Sequence, residues 1–199
     1  MENEQPIKLP ENAARELKPG EEYKPILSPE GKHREVTVYS VILGVVMTVI
    51  FSAAAAYLGL KVGQVFEAAI PIAIIAVGLS SQVRKTGALG QNVIIQSIGA
   101  CSGAIVAGAI FTLPAIYILN LDISFWQMML SSLLGGVLGI LFLIPFRKYF
   151  VKEMHGKYPF PEATATTQVL VNGDGNKKGA LVLLVSGLIG GIYDFMVVT

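Results

Sequence analysis

The sequence is poor in cysteine, histidine and charge, and each shortage excludes a class of protein. The one cysteine, Cys101, offers no disulfide framework and no CxxC metal pair. Its place in an apolar run predicts a buried thiol that acts as a packing residue. His33 and His155 lie far apart in polar flanks, so we expect no metal site. Charged residues make up 15% of the 199 residues, against about 25% in soluble domains.

Sequence motifs for nucleotide-driven or hydrolytic chemistry are also missing. The chain has no Walker loop, no Gly-x-Ser-x-Gly and no His-Glu-x-x-His. We therefore expect no ATP-driven pump in this chain, no enzyme and no cofactor. The net charge of +1 gives no reason to expect binding to nucleic acid.

Long apolar runs are what the sequence has instead, and hydrophobic residues make up 53% of it. Because a membrane span needs about 20 apolar residues, we predict an all-α polytopic membrane bundle, in contact with the lipid bilayer over residues 36–199. The third of its runs is too long for one helix perpendicular to the membrane. It must therefore tilt, kink at Pro114 or begin outside the hydrocarbon. The five predicted spans are Val36–Leu58, Val65–Ser80, Leu89–Leu119, Phe125–Phe146 and Gly179–Val198.

Basic residues set the predicted topology, because they gather in cytoplasmic loops. They lie in the charged, proline-rich tail of residues 1–35, beside Thr86, and in the connection 147–178. We predict a cytoplasmic tail without a core of its own, a cytoplasmic or re-entrant 147–178 connection, and a location in the cell inner (plasma) membrane. Lys61 is the exception to this pattern.

A break is predicted where the first two runs meet. Gly59 and Gly63 bracket Lys61, and Glu67 and Pro71 follow. Glycine and proline disfavour helix, and unwound backbone at membrane depth survives only in protein or beside a wet cavity. The Gly59–Gln64 stretch is therefore either a helix break facing a substrate route or a tight surface turn with a snorkelling lysine.

Glycines at four-residue spacing occur in three of the runs. Such small residues allow close helix approach in lipid, where no hydrophobic drive between helices exists. We expect a tightly packed bundle, and glycine-rich faces permit a homodimer. The three pairs are Gly99/Gly103, Gly135/Gly139 and Gly187/Gly191.

The stretch from Lys157 to Gln168 contains two prolines, Glu162 and three threonines. A helix starting at Pro161 with Glu162 in its first turn would suit the positive end of the helix dipole. Its N-terminus either binds an anionic group, with Thr164 and Thr166 supplying hydroxyls, or belongs to an amphipathic helix on the cytosolic surface.

Three motifs, in this order, resemble the oligopeptide transporter family in its prokaryotic and yellow-stripe-like branch. YLGLKVGQ at 57–64, followed by AAIP at 68–71, resembles the family's first hairpin. QNVIIQS at 91–97, with the glycine-rich run to Pro114, resembles its Glu-Asn-x-x-x-Gln-Thr segment. PFPEATA at 159–165 resembles its Pro-x-Pro-x-Gly/Ala-Thr-Ala signature.

The resemblance implies a secondary active transporter that moves small peptides or metal-chelate complexes, with protons as a coupling ion. Family members are several times longer, so the chain resembles their N-terminal portion. Gln91 stands where the motif commonly has glutamate, and an amide carries no proton, which weakens a coupling role there.

The candidate substrate-binding or coupling residues come from the three motifs and their surroundings. Lys61 and Glu67 either neutralise each other or hold the two ends of a zwitterionic peptide. Asp194 is either a proton carrier or a solvated residue near the outer surface. An alternative to transport is a membrane scaffold or accessory subunit that binds a larger partner, and a channel is a third. The candidates are Lys61, Gln64, Glu67, Gln91, Asn92, Gln96, Pro161, Glu162, Thr164 and Thr166.

Overall fold

The computed structural model describes most of the chain as helix. It describes residues 9–28, 31, 34–63, 67–83, 88–173 and 177–198, leaving out the side chains of residues 62, 81–83, 104–105, 177–180, 183–184, 194–195 and 198. The helices are α1 (Val38–Val62), α2 (Ala69–Val83), α3 (Leu89–Ile118), α4 (Phe125–Lys148), α5 (Pro161–Gly173) and α6 (Lys177–Val198), with a π-helical turn, Tyr149–Glu153, after α4. The prediction of a helical membrane protein is confirmed.

Each of the five apolar runs overlaps a helix over most of its described residues. Within the described residues, three helical stretches are long and apolar enough to cross a membrane: Val38–Lys61, Leu89–Ile118 and Phe125–Glu153. The apolar stretch of α2, Ala69–Ser80, is shorter. Helix α3 continues through Pro114. Its 30 residues correspond to about 45 Å, more than the ~30 Å of a hydrocarbon core, so it must tilt or extend beyond the core.

The ends of α1 are set by local capping. Thr37 and Ser40 form a reciprocal capping box at its start. At its end, Gly63 adopts the left-handed conformation with φ of 76°, and its N–H donates to the carbonyl of Gly59 at 2.9 Å. The prediction that the helix unwinds from Gly59 is therefore wrong by one turn. Gly59 is helical, and its missing side chain leaves room for Ile110 of α3.

Helices α1 and α3 run parallel, since Gly44 contacts Ile98 and Gly59, further along α1, contacts Ile110. Thr48 joins them directly, with its hydroxyl 2.7 Å from the carbonyl oxygen of Ile98. Helix α2 runs in the opposite direction against α3. The chain direction thus alternates from α1 to α2 to α3, as successive membrane crossings require.

The antiparallel register of α2 and α3 is fixed at three points. Glu67, just before α2, lies beside Gly103, and Ile72 lies beside Gly99. Near the other end of α2, Ser80 bonds to Asn92 at 2.9 Å. Because Gly103 lies near the middle of α3, helix α2 begins halfway along its longer neighbour.

The three glycine pairs behave differently. A side chain at Gly99 would meet Ile72 at 2.8 Å, so this glycine allows α2 to approach α3. A side chain at Gly135 or Gly139 would meet no described atom within 4 Å, and α4 buries none of its residues. A Cβ at Gly187 would make ordinary van der Waals contacts with the Ile74 side chain, at 3.8 Å and 3.9 Å. The spacing thus marks a packed face on α3, whereas on α4 the prediction of close packing does not hold among the described residues.

Cys101 is exposed, so the prediction of a buried thiol is wrong. It shares a face of α3 with Val93 and Ser97, and its Sγ lies 3.4 Å from the Ser97 carbonyl oxygen. The buried stripe of α3 lies on the opposite side and includes Ile95 and Ser102. Helical phase, which an apolar run does not reveal, decides the exposure of the thiol.

A hydrophobic core joins α2, the start of α3 and α5. Residues of the N-terminal tail pack against it from outside, so the tail shares the core of the bundle. The core residues are Ala73, Val77, Leu89, Leu170 and Val171, and the packed tail residues are Leu9, Ile26 and Leu27.

Candidate functional site

A cavity of about 730 Å³ lies between α2, α3, α5 and the N-terminal tail, and we call it the interhelical cavity. Its polar lining comes from the residues before α2, from α3 and from the first two turns of α5. These polar residues are Glu67, Gln96, Glu162, Thr166 and Thr167. Two aromatic residues, Tyr23 and Phe160, and several aliphatic ones complete the lining.

Glu67 reaches the cavity from backbone that is not helical. It precedes α2, and the next residue, Ala68, is fully buried. A Cβ at Gly103 would lie 2.9 Å from a carboxylate oxygen of Glu67, so the glycine gives the carboxylate room beside α3. Glu67 is exposed and meets the cavity at the non-helical backbone just before α2.

Helix α5 begins as its sequence predicts. Pro161 is its first residue and Glu162 lies in its first turn. The N–H of Thr164 donates to the carbonyl of Phe160 at 2.9 Å, which closes the first turn. Further along, α5 buries Leu170 and its Gly173 contacts Val77 of α2. Packing against α2 therefore holds the start of α5 at the cavity.

The two threonine hydroxyls at the cavity are already committed as donors. Thr166 Oγ1 donates to the Glu162 carbonyl at 2.9 Å, and Thr167 Oγ1 donates to the Ala163 carbonyl at 2.7 Å. A hydroxyl has one proton and two lone pairs. Both oxygens therefore remain available only as acceptors.

Lys61 lies apart from the cavity. It is exposed in the last turn of α1, with its Nζ 5.8 Å from the ring centroid of Tyr57. Lys61 forms no ion pair with Glu67 among the described residues. Gln64, the other candidate in this stretch, lies outside the described residues, as does the side chain of Asp194.

Gln91 and Asn92 are buried, and they join α3 to the residues before α1 and to α2 respectively. The Gln91 amide donates to the Arg34 carbonyl at 3.2 Å, and the Asn92 amide donates to the Ser80 hydroxyl at 2.9 Å. Neither lines the interhelical cavity. Of the QNVIIQS motif, Val93 and Gln96 line the cavity, because they lie on the adjoining face of α3.

Thr164 lines a second cavity, of about 540 Å³, between the tail, the π-helical turn and α5. Its neighbours there include Phe150, Tyr158 and His155. The PFPEATA motif therefore contributes to both cavities: Glu162 lines the first, Thr164 lines the second, and Pro161 lines both.

The N-terminal tail is the part of the site that the sequence pattern did not predict. Leu9, Pro25, Ile26 and Leu27 line the interhelical cavity together with Tyr23. The available signal was a set of aliphatic residues between the prolines of an otherwise polar segment.

Contacts with the loop before α5 fasten the tail. The His155 ring bonds to the Asn12 carbonyl at 2.9 Å, and its centroid lies 5.1 Å from that of Tyr23. Gly156, with φ of 71°, lets the backbone of Arg15 pass against it. Inside the tail, the Arg15 guanidinium pairs with Glu21 at 2.6 Å, and this hydrogen bond lowers the pKa of the Glu21 carboxyl to about 2.

These features define the class of protein: a helical membrane protein in which a short helix, α2, begins beside the middle of a long one and helps frame a polar cavity. Residues 35–199 match the family described as OPT oligopeptide transporter protein, and the chain belongs to that family. The resemblance of the three motifs is thereby confirmed.

A putative oligopeptide transporter of Haemophilus influenzae is similar to this chain. The two are 33% identical over 145 residues, which cover 70% of this chain and 22% of the relative. The chain thus spans less than a quarter of the relative that it matches. No solved structure matches the chain.

Proposed function

We propose that this chain forms part of a membrane transporter for oligopeptides and that the interhelical cavity belongs to its substrate site. The observation that carries the proposal is the convergence of separate sequence motifs on one cavity. Glu67 lies between the two parts of the first motif, Gln96 belongs to the second, and Pro161 and Glu162 belong to the third. Family membership supports the same function.

The proposal extends to the substrate, the coupling ion, the membrane location and the oligomeric state of the transporter. A metal-chelate complex is an alternative substrate to a peptide, because both present amines and carboxylates. Coupling to protons fits a secondary transporter, since the chain has no Walker loop. The distribution of basic residues supports an inner-membrane location with a cytoplasmic N-terminus. Glycine-rich faces are compatible with a homodimer.

Lys61, Gln64, Gln91 and Asn92 have weaker support as substrate contacts. Lys61 is exposed at the end of α1, where it would meet a substrate only outside the cavity. The hydrogen bonds of Gln91 and Asn92 favour a packing role. The scaffold alternative draws on α4, which buries no residue, but it gives no reason for three motifs to meet at one cavity.

The test replaces Gln96 by Ala in the full-length protein and measures peptide uptake into proteoliposomes. Loss of a substrate hydrogen bond worth about 1 kcal/mol should reduce uptake by roughly fivefold. Ser97→Ala is the matched control, because Ser97 is the next residue of α3 and lies on the exposed face. If wild-type uptake is saturable and both variants transport at the same rate, the cavity does not belong to the substrate route. If the wild type shows no saturable uptake, the scaffold alternative is favoured.

A further inference from the structure

The charged side chains that line the interhelical cavity are of one sign among the described residues. They are two carboxylates, Glu67 and Glu162, and the described part of the chain contributes no lysine, arginine or histidine to the lining. The motif lysine, Lys61, is elsewhere, above the ring of Tyr57. Both carboxylates are exposed, and neither has a basic partner among the described residues, so together they give the cavity a negative potential that favours a cation.

The uncharged lining has the same preference. Thr166 and Thr167 donate their protons to the backbone of α5, and therefore offer lone pairs to a ligand N–H. The rings of Tyr23 and Phe160 also line the cavity, and aromatic faces attract cations.

The N-terminus of α5 is the competing feature, because helix N-termini attract anions. Here it is a poor anion site. Pro161 has no N–H to donate at the first position, and the N–H of Thr164 is bonded to Phe160. The Glu162 carboxylate already occupies the first turn and would repel a second anion.

We propose that the interhelical cavity binds the ammonium end of the peptide, with Glu67 and Glu162 as its specificity-determining residues. This inference rests on the proposed transport function and narrows it to one end of the substrate. Peptides with a free amino terminus or a basic side chain are then the preferred class. The carboxylate end is held outside this cavity.

The test compares uptake of three forms of one tripeptide by the full-length protein in proteoliposomes: unmodified, N-acetylated and C-terminally amidated. Removing one charge-assisted hydrogen bond should lower uptake by at least about tenfold, so the N-acetylated form should be transported at least that much more slowly. Glu67→Gln and Glu162→Gln should each slow the unmodified peptide and reduce its advantage over the N-acetylated form. Glu67→Asp should retain that advantage.

Glu153→Gln is the matched control, since Glu153 is exposed in the π-helical turn and lines neither cavity. Size-exclusion profiles check that each variant folds. Where a variant fails this check, a competition experiment takes its place: the C-terminally amidated peptide should inhibit uptake of the unmodified peptide by the wild-type protein. Equal transport of unmodified and N-acetylated peptides would overturn the inference and leave the transport function standing. A loss caused by amidation, and removed by Glu162→Gln, would instead assign the carboxylate to α5. No uptake of any form would contradict the proposed function, and the inference with it.

Discussion

Gly103 and the Glu67 carboxylate form the most specific contact at the residue scale. A methyl group at position 103 would lie 2.9 Å from Oε2 and 3.2 Å from Cδ of Glu67. Both atoms belong to the far end of a flexible side chain, which is able to move aside. The cost of a larger residue at this position therefore falls on the position of the carboxylate more than on the fold.

This contact predicts that Gly103→Ala reduces peptide uptake by the full-length protein while its thermal stability changes little. The displaced Glu67 carboxylate would no longer meet a substrate at its original place. Uptake rates and unfolding midpoints in detergent measure the two effects separately. Gly108→Ala is the control on the same helix, because a side chain there would meet nothing within 4 Å. Normal uptake in Gly103→Ala would show that the carboxylate position is not critical.

Helix contacts at the scale of elements depend on small residues where two helices cross, and not on glycine spacing alone. Gly99 faces Ile72 of α2 and Met47 of α1, so a side chain at position 99 would enter an occupied space. Gly139 belongs to an equivalent pair on α4 but faces nothing within 4 Å among the described residues. The same sequence pattern therefore has different energetic consequences on the two helices.

Gly99→Ala should destabilise the protein, because overpacking costs about 1–3 kcal/mol, more than the gain of up to about 1 kcal/mol in helix propensity. Gly139→Ala should leave stability unchanged or raise it slightly, since only the propensity gain applies. Thermal unfolding midpoints of the full-length variants in detergent provide the comparison. Equal shifts in the two variants would mean that Gly139 is packed as tightly as Gly99 in the full protein.

The N-terminal tail contributes to the architecture of the whole molecule as one wall of the interhelical cavity. The tail supplies one wall, through Tyr23 and Leu27 among others, and His155 holds it against the loop before α5. The Arg15–Glu21 ion pair stabilises the turn between those contacts. The position of the tail therefore sets the shape of the cavity on this side.

The tail should loosen in acid. The pKa of Glu21 is lowered from 4.5 to about 2, so its ion pair contributes stability above pH 4.5 that is lost as the pH falls towards 2. Hydrogen–deuterium exchange of peptides from residues 11–27, corrected for intrinsic rates, should accelerate across this range. Glu21→Gln should exchange quickly at every pH, whereas Glu22→Gln, the neighbouring control, should behave like wild type. A pH-independent profile in the wild type would contradict this role for the ion pair.

The sequence by itself determined the membrane class, the apolar helices, the start of α5 at Pro161 and the family. These properties depend on local composition, on capping and on short motifs, all of which involve residues close together in the sequence. The break after α1 was predicted one turn too early, because glycine permits both a helix end and a close helix contact. Only the neighbour, Ile110 at Gly59, decides which occurs.

Tertiary structure alone decided which candidates meet. It brought Glu67, Gln96 and Glu162 to one cavity, left Lys61 outside it, and turned Cys101 away from the packed face of α3. It also added the tail as a wall of the cavity. The physical reason is that contacts between distant segments depend on helix phase, register and direction, and these are fixed only when the helices pack against one another.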